Sequence, residues 1–252
     1  MVMKDVDQAV VVAVTFAAVF GPEAEDGSTV YRLGVALPLL QVLQRVNERL
    51  LEKNPAEHQL FDVILITTDS WQQQQNSSII NSTRHHSLEI SRFCFSTEDN
   101  YIESLVQNNV QLFFTTDGNE ALQATHQGVP SALLDKNSVS CPSEQLRVLF
   151  CEKAIIQPNM GSTEASKKYA QNLLAHLGQM RQKFGVFDSP LCFTLVTSHG
   201  GKDSCCCALK SLRSLGVSVD EAYCLGGAPR GPILSLLRPH FLLSDGFSLL
   251  EG

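Results

Sequence analysis

Two stretches of this chain are apolar almost throughout. Ala9–Val14 reads AVVVAV, and Phe61–Thr67 reads FDVILIT with Asp62 as its one charged residue. β-Branched residues at that density favour extended backbone. A strand without polar alternation has no face to give to water, so it belongs in a sheet covered on both sides. Parallel sheets meet that condition, because the crossover between parallel strands is usually a helix lying on the sheet. The rest of the chain supplies the parts. Strands are predicted at Ile90–Phe95, Val110–Thr116, Pro130–Leu134, the first half of Gln145–Ile156, Cys192–Val196, Ala222–Leu225 and Phe241–Leu243. Helices are predicted from Pro38 to about Lys53, over Asp99–Val106 and Asn119–Gln127, from Ser162 or Thr163 to about Phe184, and over Asp203–Leu215. Trp71–Ser82 holds a further helix start, and Gly21–Ser28 reads as a polar loop. The expected class is α/β, a mostly parallel sheet flanked by helices, in one domain over residues 1–252 with no internal repeat.

Composition narrows the function classes. Hydrophobic residues make up 44% and charged residues 18% of 252, a globular profile. The net charge of −7 argues against a broad nucleic-acid-binding face. The eight cysteines include no CxxC pair, so a zinc knuckle is not expected. Cys94, Cys192 and Cys224 lie in apolar runs and are read as small buried hydrophobes. The N-terminus has acids ahead of its apolar run and no small-residue cleavage site, and no run reaches membrane-spanning length. The expected location is cytoplasmic, in reducing conditions, with neither nucleic acid nor membrane as a partner.

In a parallel α/β sheet, right-handed crossovers bring the strand carboxyl ends to one edge, where ligands bind. Cys192–Leu215, CFTLVTSHGGKDSCCCALKSLRSL, reads as strand, turn and helix. Its turn offers Thr197 and Ser198 hydroxyls, the Lys202 charge, and backbone N–H groups freed by Gly200-Gly201, the parts of a phosphate cradle. An ordinary strand-to-helix turn is the alternative. Three other groups reach the same edge: Cys151-Glu152-Lys153, Arg230 and Ser244-Asp245. Thr68, Asp69 and Ser70 end the Phe61–Thr67 strand.

A hydroxyl after one strand, a later cation and an acid after the last strand is the layout of the haloacid dehalogenase-like phosphatases. The sequence resembles one of their families, the cytosolic 5′-nucleotidases of type I, from about residue 34 to the C-terminus. GVALPLLQVLQRVNERLLEKNP followed by FDVILITTDS, then SRFCF, QLRVLF, and LVTSHGGKDSCCCALKSLRSLGVSVDEAYCLGGAPRGPILSLLRPHFLLSD carry the resemblance in one order. It implies a haloacid dehalogenase-like core and Mg²⁺-dependent hydrolysis of a nucleoside monophosphate such as AMP. It places Thr197, Ser198 and Arg230 on the phosphate, Thr68 and Asp69 on the substrate, and Asp245 on the metal. The departures fall on the chemistry. Where the family has Asp-Gly-Asp-Ala-Val, this chain has Cys151-Glu152-Lys153-Ala154-Ile155, so Cys151 and Lys153 hold the positions of the nucleophile and the acid/base. The family's final acid pair is here Ser244-Asp245. Its Thr-Gly-Gly loop is Ser96-Thr97-Glu98, and the cap-like region after Ile156 is reduced.

Three readings follow. The chain is a nucleotide-binding relative that has lost hydrolysis, acting alone or paired with an active relative. It is a nucleotidase with a substituted nucleophile. Or it is an interaction protein, in which case homo-oligomers are one form of partner. A Cys151 nucleophile of the tyrosine-phosphatase kind needs a backbone cradle after the cysteine and an arginine at fixed spacing, and CEKAIIQP has neither. Cys151 therefore reads as a buried thiol. Cys205–Cys207 reads as packing, His85-His86 as a solvated loop pair, and His240 as structural.

Overall fold

A computed structural model of the chain describes residues 9–24, 30–58, 60–134, 144–152, 164–185, 188–198 and 202–243. Where one large domain is expected, the chain divides into two compact units, Met1–Pro142 and Ser143–Gly252.

The first unit runs β1 (Val10–Thr15), α1 (Phe16–Val19), β2 (Phe20–Ala24), β3 (Tyr31–Leu33), α2 (Leu37–Lys53), β4 (Phe61–Thr67), α3 (Ser70–Gln73), α4 (Asn76–His85), β5 (Arg92–Phe95), α5 (Tyr101–Gln107), β6 (Leu112–Thr115), α6 (Gly118–His126) and β7 (Ser131–Leu133). Its parallel sheet has the order β5-β4-β1-β6-β7. The apolar runs β1 and β4 sit in its interior and are buried at every position. One face packs Val11, Ala13, Ile64, Ile66 and Phe113 against Tyr101 and Leu105 of α5. Helix α2 buries Leu39, Val42, Leu43, Val46 and Leu50, the stripe its spacing predicts. Each such side chain contributes about 1.5–3 kcal/mol by leaving water. The two polar interruptions of the strands cancel. Asp62 of β4 is ion-paired with Arg92 of β5, and Arg92 also donates to Asn108 at 3.2 Å.

Residues expected to form a polar loop instead contribute to an antiparallel hairpin, β2 with β3. Its signal is hidden by Gly21 and Pro22, and its anchors are aromatic: Phe20 and Tyr31 both pack on Phe16. His86 is not a solvated loop residue. Its Nε2 lies 2.7 Å from the Tyr31 carbonyl and its ring packs against Phe20. The Trp71–Ser82 stretch forms parts of two helices, α3 and α4.

The second unit runs β8 (Leu146–Cys151), α7 (Glu164–Gln182), β9 (Leu191–Thr197), α8 (Lys202–Ser214), β10 (Glu221–Cys224), α9 (Gly231–Leu237) and β11 (Phe241–Leu243). Its sheet is also parallel, in the order β10-β9-β8-β11. Helix α7 buries Leu173, Leu177 and Met180, and Phe184 just beyond it is buried too. The cysteines depart from expectation: Cys206, Cys207 and Cys224 are exposed, and Cys94, Cys192 and Cys205 are half-buried.

The two units' sheets share one strand order. Strands β5-β4-β1-β6 and β10-β9-β8-β11 have the same order and direction. The registers agree residue for residue. Val10 faces Phe61 and Thr15 faces Ile66, as Leu146 faces Leu191 and Cys151 faces Val196. Val12 faces Leu112 as Val148 faces Phe241, and Ile64 faces Arg92 as Thr194 faces Glu221. Left-handed residues follow matching helices: Ser87 and Gly216 after α4 and α8, Asn109 and Arg238 after α5 and α9. The likeness lies in strand order and backbone register and not in side-chain identity. It makes Thr15 the counterpart of Cys151, and Thr67 the counterpart of Thr197.

Candidate functional site

The carboxyl edge of the second unit's sheet gathers Cys151 from β8, Thr197 and Ser198 from β9, and Arg230 from the loop after β10. Cys151 is 2% exposed and Thr197 is fully buried. Arg230 donates from Nε to Ser198 Oγ at 2.9 Å and from Nη2 to the same oxygen at 2.5 Å. Its Nη1 lies 3.8 Å from Cys151 Sγ. Residues far apart in sequence thus meet as the strand order requires.

The loop that carries Arg230 is fastened to the strand it faces. Leu225 N–H donates to the Thr197 carbonyl at 2.9 Å and Gly227 N–H donates to the Ser198 carbonyl at 2.9 Å. Both Gly226 (φ 61) and Gly227 (φ 90) are left-handed, which glycine adopts without strain. Arg230 then stands at the N-cap of α9, with Pro232 in the first turn.

The Thr197 hydroxyl is buried and has no hydrogen-bond partner among the described residues. Burying a hydroxyl without a partner costs about 1–3 kcal/mol. In the first unit the hydroxyl at the same register position is engaged. There Thr67 Oγ1 donates to the Ser96 carbonyl and accepts from the Ser96 N–H, both at 2.9 Å. Leu225 replaces that arrangement in the second unit by bonding the Thr197 backbone, which leaves the hydroxyl open. A hydroxyl, a serine and a guanidinium at one strand edge form an anion-binding set.

Of the other predicted residues, Lys153, Ser244 and Asp245 lie outside the described residues, as do Gly200 and Gly201. Thr68 and Asp69 belong to the first unit. Thr68 N–H donates to Gln72 Oε1 at 3.2 Å, and Asp69 caps α3 through the Trp71 N–H at 3.0 Å. His240 is structural, as expected. Its Nδ1 accepts from the Arg147 N–H at 3.0 Å, and its N–H donates to the Arg147 carbonyl at 2.9 Å. Burial, with the Arg147 charge, pushes its pKa down to about 4. Sequence reasoning missed Leu225, whose bond to the Thr197 backbone has no side-chain signature.

The fold and the site define a class: an α/β protein with a haloacid dehalogenase-like, Rossmann-type core. A 5′-nucleotidase family model matches residues 23–167 and 159–251. Cytosolic 5′-nucleotidase 1B of Homo sapiens is 31% identical over 246 residues, covering 87% of this chain. The chain belongs to the cytosolic 5′-nucleotidase family. It spans 40% of the length of that human relative. Among the described residues no helix is long and apolar enough to cross a membrane.

Proposed function

We propose that this chain binds the phosphate of a nucleoside monophosphate at Thr197, Ser198 and Arg230 without hydrolysing it efficiently. The observation that carries the reading is the Thr197 hydroxyl, fully buried and without a hydrogen-bond partner among the described residues, next in sequence to Ser198, whose Oγ takes the Arg230 guanidinium. A phosphoryl oxygen would satisfy it, and Arg230 would take further oxygens in bidentate fashion. Hydrolysis is another matter. Cys151 stands at the strand end where the family's nucleophilic aspartate would, and Lys153 replaces the acid/base. Losing covalent and proton-transfer catalysis together removes several powers of ten in rate.

The family's Mg²⁺ takes oxygen ligands. Glu152, next in sequence to Cys151, is a described carboxylate of this strand end, and Asp245, which the resemblance assigns to the metal, lies outside the described residues.

A second reading has one observation in its favour. Arg230 Nη1 beside Cys151 Sγ would stabilise a thiolate, the form in which cysteine attacks phosphorus. Sγ would then bond to phosphorus as the bond to the 5′ oxygen breaks, and the departing nucleoside alkoxide would need a proton. One experiment separates the readings. AMP, with and without Mg²⁺, is assayed for phosphate release while binding is followed by calorimetry. Binding without turnover supports the first reading. Turnover that disappears in Cys151→Ser supports the second. Neither binding nor turnover would leave an interaction protein.

A further inference from the structure

Three consecutive cysteines lie near the start of α8, and a fourth ends β10. The fold gives them different surroundings. Cys205 is half-buried in the first turn of α8, Cys206 and Cys207 are exposed after it, and Cys224 is exposed. The sheet register sets Cys224 level with Thr197, the last residue of β9. Helix α8 follows β9 closely in sequence and packs on it. Cys205 and Cys224 therefore meet, and their side chains are in hydrogen-bond contact. Burial, then that contact, push the Cys205 thiol up to about 11. Successive helix positions turn by about 100°, so Cys206 and Cys207 project in other directions.

Both sulfurs sit beside the anion-binding edge. Leu225, next in sequence to Cys224, donates its N–H to the Thr197 carbonyl, and Gly227 donates to the Ser198 carbonyl. The end of β10 is thus the root of the loop that brings Arg230 to Ser198. Cys151, at the same edge, is 2% exposed and shielded from an oxidant in solution. Cys224 has no such shield.

We propose that Cys205 and Cys224 are a redox modification site, forming a reversible disulfide that ties the first turn of α8 to the end of β10 and latches the root of the Arg230 loop. The oxidant is a hydroperoxide, hydrogen peroxide in the simplest case. It oxidises the exposed Cys224 to a sulfenic acid as the O–O bond breaks and one water leaves. The Cys205 sulfur then bonds to the Cys224 sulfur, the S–O bond breaks, and the Cys205 proton departs with the hydroxyl as a second water. Two thiols have lost two hydrogens, and one peroxide has become two waters. A dithiol reductant reverses the step by exchange. The bond closes a loop of about 20 residues and so restricts the unfolded chain. It also holds the loop root where its two backbone bonds already place it, which preorganises the anion set. That last consequence rests on the phosphate reading at Thr197, and the disulfide itself does not.

The reduced full chain is treated with hydrogen peroxide, its remaining thiols are alkylated, and its disulfides are mapped by mass spectrometry. The expected product is an intramolecular Cys205–Cys224 pair. The unfolding midpoint should rise by at least about 5 °C, and dithiothreitol should reverse both changes. Cys205→Ser and Cys224→Ser should each abolish the pair and the rise, and Cys206→Ser should abolish neither. The proposal is overturned if peroxide leaves both residues as thiols or carries them past the disulfide. It is equally overturned if the mapped bond joins other cysteines or two chains, or if the midpoint does not rise. Inorganic phosphate titrated into both states by calorimetry reads the latch. Tighter binding to the oxidised chain supports it, and equal or weaker binding overturns it. Absence of phosphate binding in either state would remove the reading at Thr197 and leave a mapped disulfide standing.

Discussion

Thr197 and Thr67 are the same residue at the same register position with opposite fates. Thr67 spends its hydroxyl on Ser96, and Thr197 keeps its own unspent inside the protein. That difference predicts the behaviour of Thr197→Val. Valine fills the space without an unsatisfied oxygen, so the unfolding temperature should stay level or rise. Phosphate affinity should fall by about 1–3 kcal/mol, roughly fivefold to 150-fold. Thermal unfolding and calorimetry on the same samples check both parts, and a variant that binds phosphate like the parent would remove the hydroxyl from the site. His240 gives a second residue-scale prediction. Its pKa is lowered to about 4 in the fold, against about 6.5 unfolded. Between those values the unfolded chain holds more protons, so this group's contribution to stability is present above about pH 6.5 and lost as pH falls toward 4. His240→Asn should flatten the fall in unfolding temperature between pH 7 and pH 5. An unchanged slope would assign that fall to other groups.

At the scale of elements, two glycines hold pieces together for different reasons. Gly227 has φ 90 and open space where a Cβ would be, so Gly227→Ala strains only the backbone. A left-handed alanine costs about 1–2 kcal/mol. Because Gly227 ties the Arg230 loop to Ser198, phosphate affinity should fall with stability. Gly178 in α7 is a packing case: a Cβ there would meet the Gly216 carbonyl oxygen at 2.7 Å. Gly178→Ala should cost about 1–3 kcal/mol by forcing α7 away from the turn after α8. It should leave phosphate affinity per folded molecule unchanged. Denaturant unfolding with calorimetry distinguishes the two, since only Gly227→Ala should move both readouts. The strands and helices themselves were legible in the sequence because burial on both faces and the 3.6-residue stripe leave patterns. The β2–β3 hairpin was not, since its strands are short and carry Gly21 and Pro22 where a strand signal would be. The loop joining Thr197 to Arg230 was legible as a glycine-rich turn. Its two backbone bonds were not.

At the scale of the molecule, two sheets of the same strand order differ at matching N-caps: Arg230 follows β10, and the neutral Asn100 follows β5. If hydrolysis had failed only through the nucleophile and its acid/base, Asp at positions 151 and 153 would restore it. We expect the double variant to remain far below a family-like rate, because Ser244 and the Ser96-Thr97-Glu98 loop still depart from the family pattern. Phosphate release from AMP with Mg²⁺ measures this, and a full recovery would show those departures to be neutral.

By itself the sequence determined the class of fold and the family, because strand burial, helical spacing and block order are written in residue types. Only the tertiary structure decided which hydroxyls are spent and which are open, since a hydrogen-bond partner is a matter of distance and not of identity. Only the register revealed that the two sheets match, because a parallel sheet fixes which residues lie level while leaving their side chains free to change.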